Sequence, residues 1–146
     1  MRFAIVPACT HRPDEYSDAF EGYKAVQLID DSGEMRGELI WRLATGQTVE
    51  ITEMAIFDES RRRRGWGSKL LEAGLRSIRE FFAGKPYPLR RIYVFCDSIN
   101  EPARAFYEAH GFRLEAVLSG FYHYCDAVLY VLDVEARDPE TQGMRT

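Results

Sequence analysis

The chain has no apolar run approaching the length of a membrane span, and its first residues lack the charged-then-apolar layout of a secretory signal. Cysteine is scarce. Cys9, Cys96 and Cys125 are an odd set without metal-ligand spacing, which argues against a disulfide framework and for reduced thiols in a cytoplasm. The histidines (His11, His110, His123) are equally scattered, so no metal site is expected. Positive charge is short overall: 19 Lys and Arg against 23 Asp and Glu leave a net charge of −4, which disfavours general nucleic-acid binding. With 46% hydrophobic and 29% charged residues, the composition is that of a globular protein rather than a disordered one. One domain over residues 1–135 is expected, followed by a polar, disordered tail at 136–146.

Residues 2–6 read as a first strand, and 7–23 as a loop with a helical turn or two around 14–20. Three strand-like runs follow, at 24–29, 35–43 and 49–57, separated by Asp30-Asp31-Ser32-Gly33 and Thr45-Gly46-Gln47. They predict an antiparallel meander. A helix after residue 66 places Leu71, Leu75, Ile78 and Phe82 on one face, and Gly84 and Pro86 stop it. Residues 92–96 read as a strand. Asn100 caps a short helix with Pro102 in its first turn and Gly111 past its end, and 112–118 and 128–134 read as closing strands. The order predicts a mixed α/β (α+β) domain: a mainly antiparallel central sheet of about seven strands flanked by helices.

One stretch organises the rest: Ser60-Arg61-Arg62-Arg63-Arg64-Gly65-Trp66-Gly67-Ser68-Lys69-Leu70-Leu71. A strand feeding a glycine-bearing turn that opens a helix makes an anion site, because the first helical amides have no intrahelical acceptor. Glycine lets backbone approach a phosphate closely, and arginine adds bidentate donors. A solvated basic loop before an ordinary helix would read the same way.

A second block shifts the balance. Arg62-Arg63-Arg64-Gly65-Trp66-Gly67 resembles the Arg/Gln-x-x-Gly-x-Gly/Ala turn that binds coenzyme A pyrophosphate in the GNAT superfamily of N-acetyltransferases. Residues 100–112, Asn-Glu-Pro-Ala-Arg-Ala-Phe-Tyr-Glu-Ala-His-Gly-Phe, resemble that superfamily's Asn-x-x-Ala-x-x-Phe-Tyr-x-x-x-Gly-Phe signature, in the right order. The close of the chain, Gly120-Phe121-Tyr122 through Asp126-Ala127-Val128-Leu129, is similar to the ending of the superfamily's amino-terminal and ribosomal-protein acetyltransferases. The resemblance covers residues 49–134.

It implies transfer of acetyl from acetyl-CoA, used as cosubstrate without a metal, to an amine: a small molecule or a peptide amino terminus. On this basis Arg62, Arg63, Arg64, Gly65, Trp66, Gly67 and Ser68 cradle the pyrophosphate, while Ala55, Ile56 and Phe57 bond the pantetheine arm through backbone. Trp66 packs either on the coenzyme or on the helix. Asn100 and Ala103 contact the coenzyme arm, Asn100 doubling as the helix cap. Tyr107 matches the general acid that protonates the departing thiolate, although the stripe Ala103, Phe106, Tyr107, His110 would also suit a core tyrosine.

The acceptor arrives as an ammonium and needs a base. Glu53 is the first choice: strict alternation along 49–57 puts it on a face with Ile51, Ala55 and Phe57, where apolar neighbours would raise its pKa. Glu50, on the opposite face by the same alternation, is the fallback, and a water chain is the third option. Some relatives carry a glutamate where this chain has Phe95 or nearby residues, a departure that removes one option for the base. His123, Tyr122 and Tyr124 line the acceptor side, or are plain surface aromatics. Family members place two helices between the first two strands; residues 7–23 hold about one. An open acceptor site is expected, or one completed by a second subunit in a homodimer. The alternatives are a coenzyme A-binding module without turnover and a basic-loop nucleic-acid binder.

Overall fold

The computed structural model describes residues 1–7, 24–57 and 65–134. The expected helical turns at 14–20, the shortened N-terminal segment, Arg62, Arg63 and Arg64, and the tail at 136–146 lie outside the described residues.

Strands β1 (Arg2–Pro7), β2 (Lys24–Ile29), β3 (Met35–Thr45) and β4 (Thr48–Ile56) precede helix α1 (Trp66–Ala83); β5 (Arg91–Asp97), α2 (Glu101–Ala109), β6 (Arg113–Leu118) and β7 (Ala127–Asp133) complete the order. The sheet runs β1-β2-β3-β4-β5-β7-β6. Only the β4–β5 pair is parallel among these neighbours.

Turn chemistry sets the meander. Asp30 Oδ1 accepts the amides of Ser32 and Glu34, both at 2.9 Å, while Arg36 donates to Oδ2 at 2.7 Å. These bonds, led by the Ser32 hydroxyl, hold the Asp30 carboxyl well below the usual range and fix the β2–β3 hairpin.

One face of the sheet carries Leu39, Trp41, Val49, Ile51, Ile92, Val94 and Tyr130, all buried in the core. Cross-strand partners such as Trp41 and Ile51, Val49 and Ile92, Val94 and Tyr130 place them side by side. Both helices cover this face. Leu70, Leu71, Ala73, Gly74, Ser77, Ile78 and Phe82 of α1 are buried, and a Cβ on Gly74 would sit 2.7 Å from Leu39 Cδ1, so α1 lies close on β3. Helix α2 lays Tyr107 against Phe112 and Tyr130, and its Phe106 touches the first turn of α1 at Gly67. Among the described residues no helix is long and apolar enough to cross a membrane.

The strict alternation expected along β4 does not hold. Trp41 opposes Ile51 and Ile40 opposes Glu53, which leaves Thr52 as an extra, unopposed residue: a β-bulge. One extra residue exchanges the two faces downstream. Glu53 therefore shares a face with Glu50 and Ala55, opposite the helices, while Ile51 points into the core with Met54 and Ile56. The expectations that Glu53 neighbours Ile51 and that Glu50 lies on the other face are corrected by that residue.

Candidate active site

The bulge marks where β4 and β5 part. Their parallel pairing covers four residues each, ending at Ile51 with Val94. Beyond that point β4 continues to Ile56 held by β3, and β5 continues to Asp97 held by β7. A cleft opens between the carboxyl ends of two parallel strands, the position where α/β sheets bind ligands. Phe57 donates its amide to Arg36 O at 2.8 Å on the β3 side, so alternation directs the neighbouring Met54 and Ile56 amides toward β5.

Both helices begin at this cleft. Gly65 caps α1 with φ +81°, the left-handed region that glycine adopts without penalty, and no side chain caps the turn. Lys69 is the first residue whose amide reaches back to a helical carbonyl, Gly65 O at 3.1 Å, and the first turn carries no acidic residue. The amides of Trp66, Gly67 and Ser68 are thus presented at the positive end of an 18-residue helix. Trp66 packs partly on the core, with the Lys69 ammonium 4.5 Å over its ring. Gly67 is where α1 meets Phe106 of α2, 3.4 Å from where a Cβ would stand.

At α2, Asn100 accepts the Ala103 amide at 3.1 Å, so the cap is formed; Ala103 packs partly against the core. Tyr107 is 6% exposed, with its ring against Phe106, Phe112 and Tyr130. Its hydroxyl has no hydrogen-bond partner among the described residues. Burial, and behind it the Cys96 thiol, pushes Tyr107 up to about 12. Cys96 itself is raised, mainly by burial.

The opposite face of the cleft holds the carboxylates. Arg42 grips Glu50 Oε1 through Nε at 2.9 Å and Nη2 at 2.7 Å, and Glu50 is 16% exposed at its side chain. Glu53 is exposed and has no ion pair among the described residues. Tyr93, opposite Glu50, is raised by burial and then by the Glu50 charge. The connection between β6 and β7 folds over Phe95 and brings Tyr122 and Tyr124 there; His123 is exposed and joins none of their ring contacts. Phe121, Tyr93 and Asp97 have no place in the sequence reading of the site, and Phe95 enters it only as a position where some relatives carry a glutamate. The alternation of Tyr93, Phe95 and Asp97 in one strand was the signal that could have grouped them.

No curated protein matches the chain. Solved structures do match it in fold. The ribosomal-protein-S18-alanine N-acetyltransferase of Escherichia coli is 19% identical with a TM-score of 0.71, covering 94% of this chain and 97% of its own. A GNAT family acetyltransferase from Elizabethkingia anophelis, with acetyl-CoA bound, is 15% identical with a TM-score of 0.71, covering 90% and 98%. A Bacillus subtilis acetyltransferase in complex with CoA is 18% identical, also with a TM-score of 0.71, covering 91% and 98%. The sequence profile of the acetyltransferase (GNAT) family matches residues 7–112. Because that match spans well over half the sequence, the chain belongs to the GNAT family of acetyltransferases.

Proposed function

We propose that the protein transfers the acetyl group of acetyl-CoA to a primary amine by direct attack in a ternary complex. The observation that carries this is the four-residue limit of β4–β5 pairing, which opens a slot beside a helix start that no side chain caps and beside the helix that carries Tyr107. The chain's own groups fit the donor. The amides of Trp66, Gly67 and Ser68 suit a pyrophosphate, with Arg62, Arg63 and Arg64 preceding them in sequence, and the β4 edge suits a pantetheine amide. Two structural relatives bind acetyl-CoA and CoA.

Acetyl-CoA supplies an activated acyl carbon: the amine nitrogen bonds to it as the carbon–sulfur bond breaks. Tyr107 gives its proton to the departing sulfur and, with its pKa raised, is fully protonated at neutral pH. Glu53 takes the proton that the acceptor ammonium must lose. It suits this better than Glu50, whose charge is committed to Arg42. Cys96 is a thiol whose charge acts on Tyr107, and its raised pKa makes it a poor nucleophile, which favours direct transfer over an acetyl-cysteine route. Cys96 and Cys125 are free thiols, in keeping with a cytoplasmic setting. Edge strand β6 exposes Leu114 (45%) and Val117 (56%), a surface suited to a second copy.

Steady-state kinetics with acetyl-CoA and an amine panel test the proposal. Intersecting initial-rate patterns, with kcat lowered roughly 100-fold in Tyr107→Phe, are expected. Tight acetyl-CoA binding without any transfer would instead make this a non-catalytic coenzyme A-binding module.

A further inference from the structure

With the donor read at the starts of α1 and α2, the opposite face of the sheet is left for the acceptor, and that face has a definite chemistry. β4 contributes Glu50, Glu53 and Ala55; β5 contributes Tyr93, Phe95 and Asp97. Phe95 is the first β5 residue beyond the pairing with β4, so it stands at the mouth of the cleft. Phe121 stacks on it with centroids 5.5 Å apart and planes 13° from parallel. Tyr122 meets Phe121 edge-on at 5.1 Å, and Tyr124 stacks on Tyr122 at 6.4 Å. The Tyr124 hydroxyl donates to Asp97 Oδ2, tying the end of this shelf to β5.

The shelf is ordered but uncovered: Phe121 remains 55% exposed and Tyr124 66%. Its charge has one sign. Arg42 neutralises Glu50, which leaves Glu53 and Asp97 as the net charges among the described residues of this wall. Aromatic faces and carboxylates together favour a cation joined to a flat apolar body and disfavour an anion.

We propose that the acceptor is a small arylalkylamine: a primary ammonium on a short linker from an aromatic ring, with no carboxylate of its own. This rests on the acetyl-transfer reading above. The ring lies along Phe121 and Tyr124, and the nitrogen points to Glu53. A carboxylate beside the amine, as in a free amino acid, would face Glu53 and Asp97 and be repelled.

The test compares kcat/KM for 2-phenylethylamine, propylamine and phenylalanine, with acetyl-CoA saturating and its binding measured separately by calorimetry. Phenylethylamine should exceed each of the others by about tenfold, the first gain from ring stacking and the second from avoided repulsion. Phe121→Ala should bring the phenylethylamine-to-propylamine ratio close to one, and Asp97→Asn should narrow the gap to phenylalanine. Equal values for the three amines, ratios indifferent to both substitutions, or a peptide amino terminus outrunning phenylethylamine would overturn the proposal while acetyl-CoA still binds. Failure to bind acetyl-CoA at all would overturn the donor reading and this proposal with it.

Discussion

The hydroxyl of Tyr130 donates to Glu108 Oε2 at 2.6 Å, joining the middle of β7 to the helix that carries Tyr107. The same oxygen accepts Arg104 Nε at 3.1 Å, and Arg104 Nη1 reaches Ser98 O at 3.0 Å, so α2 and the loop before it hang on one fully buried phenol. Tyr130→Phe should cost about 1–3 kcal/mol in urea denaturation, because it strips two charged groups of a partner. Tyr107→Phe removes a hydroxyl with no partner among the described residues and should stay within about 0.5 kcal/mol of wild type. Equal stability losses in the two variants would mean the Tyr107 hydroxyl is structural, and its kinetic defect could no longer be assigned to chemistry.

Alkaline pH should uncouple stability from neutral-pH activity. Tyr107 ionises at about 12 in the fold, against about 10 in an unfolded chain. The folded form therefore holds the proton longer. Stability is full below pH ~10 and falls between ~10 and ~12, by about 2–3 kcal/mol from this residue. Tyr93, Tyr122, Tyr124 and Tyr130 are raised as well and add in the same direction. Thermal melts against pH, alongside phenolate absorbance, read this directly; a melting temperature that rises above pH ~10 would contradict it.

Glu53 and Glu50 share a face but should not share a phenotype. Glu53→Gln should lower kcat by roughly 100-fold. Glu50→Gln removes the charge that holds Arg42 through a single carboxylate oxygen and should act mainly on stability, by about 1–3 kcal/mol. The reverse pattern, in pH–rate profiles and urea melts of both variants, would transfer the base to Glu50.

In α1, Gly74→Ala sets two effects against each other. Helix propensity favours alanine by about 1 kcal/mol. The added Cβ would stand 2.7 Å from Leu39 Cδ1, and Leu39, 0% exposed, would have to shift within the core. Overpacking costs about 1–3 kcal/mol, so net destabilisation is expected in urea melts. A more stable variant would show that α1 can lift from β3.

Signals confined to a few neighbouring residues were legible in the sequence. The β2 boundaries, the Asp30 hairpin, the Asn100 cap and the stop at Gly84 follow from turn, cap and period alone. The glycine turn opens α1, and the block that begins at Asn100 forms α2. What escaped depends on partners distant in sequence. The bulge exists because Ile40 and Trp41 skip Thr52, and the aromatic shelf because residue 121 returns to residue 95. One trace of the bulge was visible: the apolar positions 49, 51, 54 and 56 break step between 51 and 54.

That single extra residue gives β4 two mechanical regimes. Up to Ile51 the strand is clasped on both sides; from Glu53 onward β3 alone holds it. Amide exchange should follow the same boundary, with Val49 and Ile51 opening only on global unfolding and the stretch from Met54 onward exchanging through local fluctuations. The slot can then breathe to admit and release a bulky thioester while the core beside it stays shut.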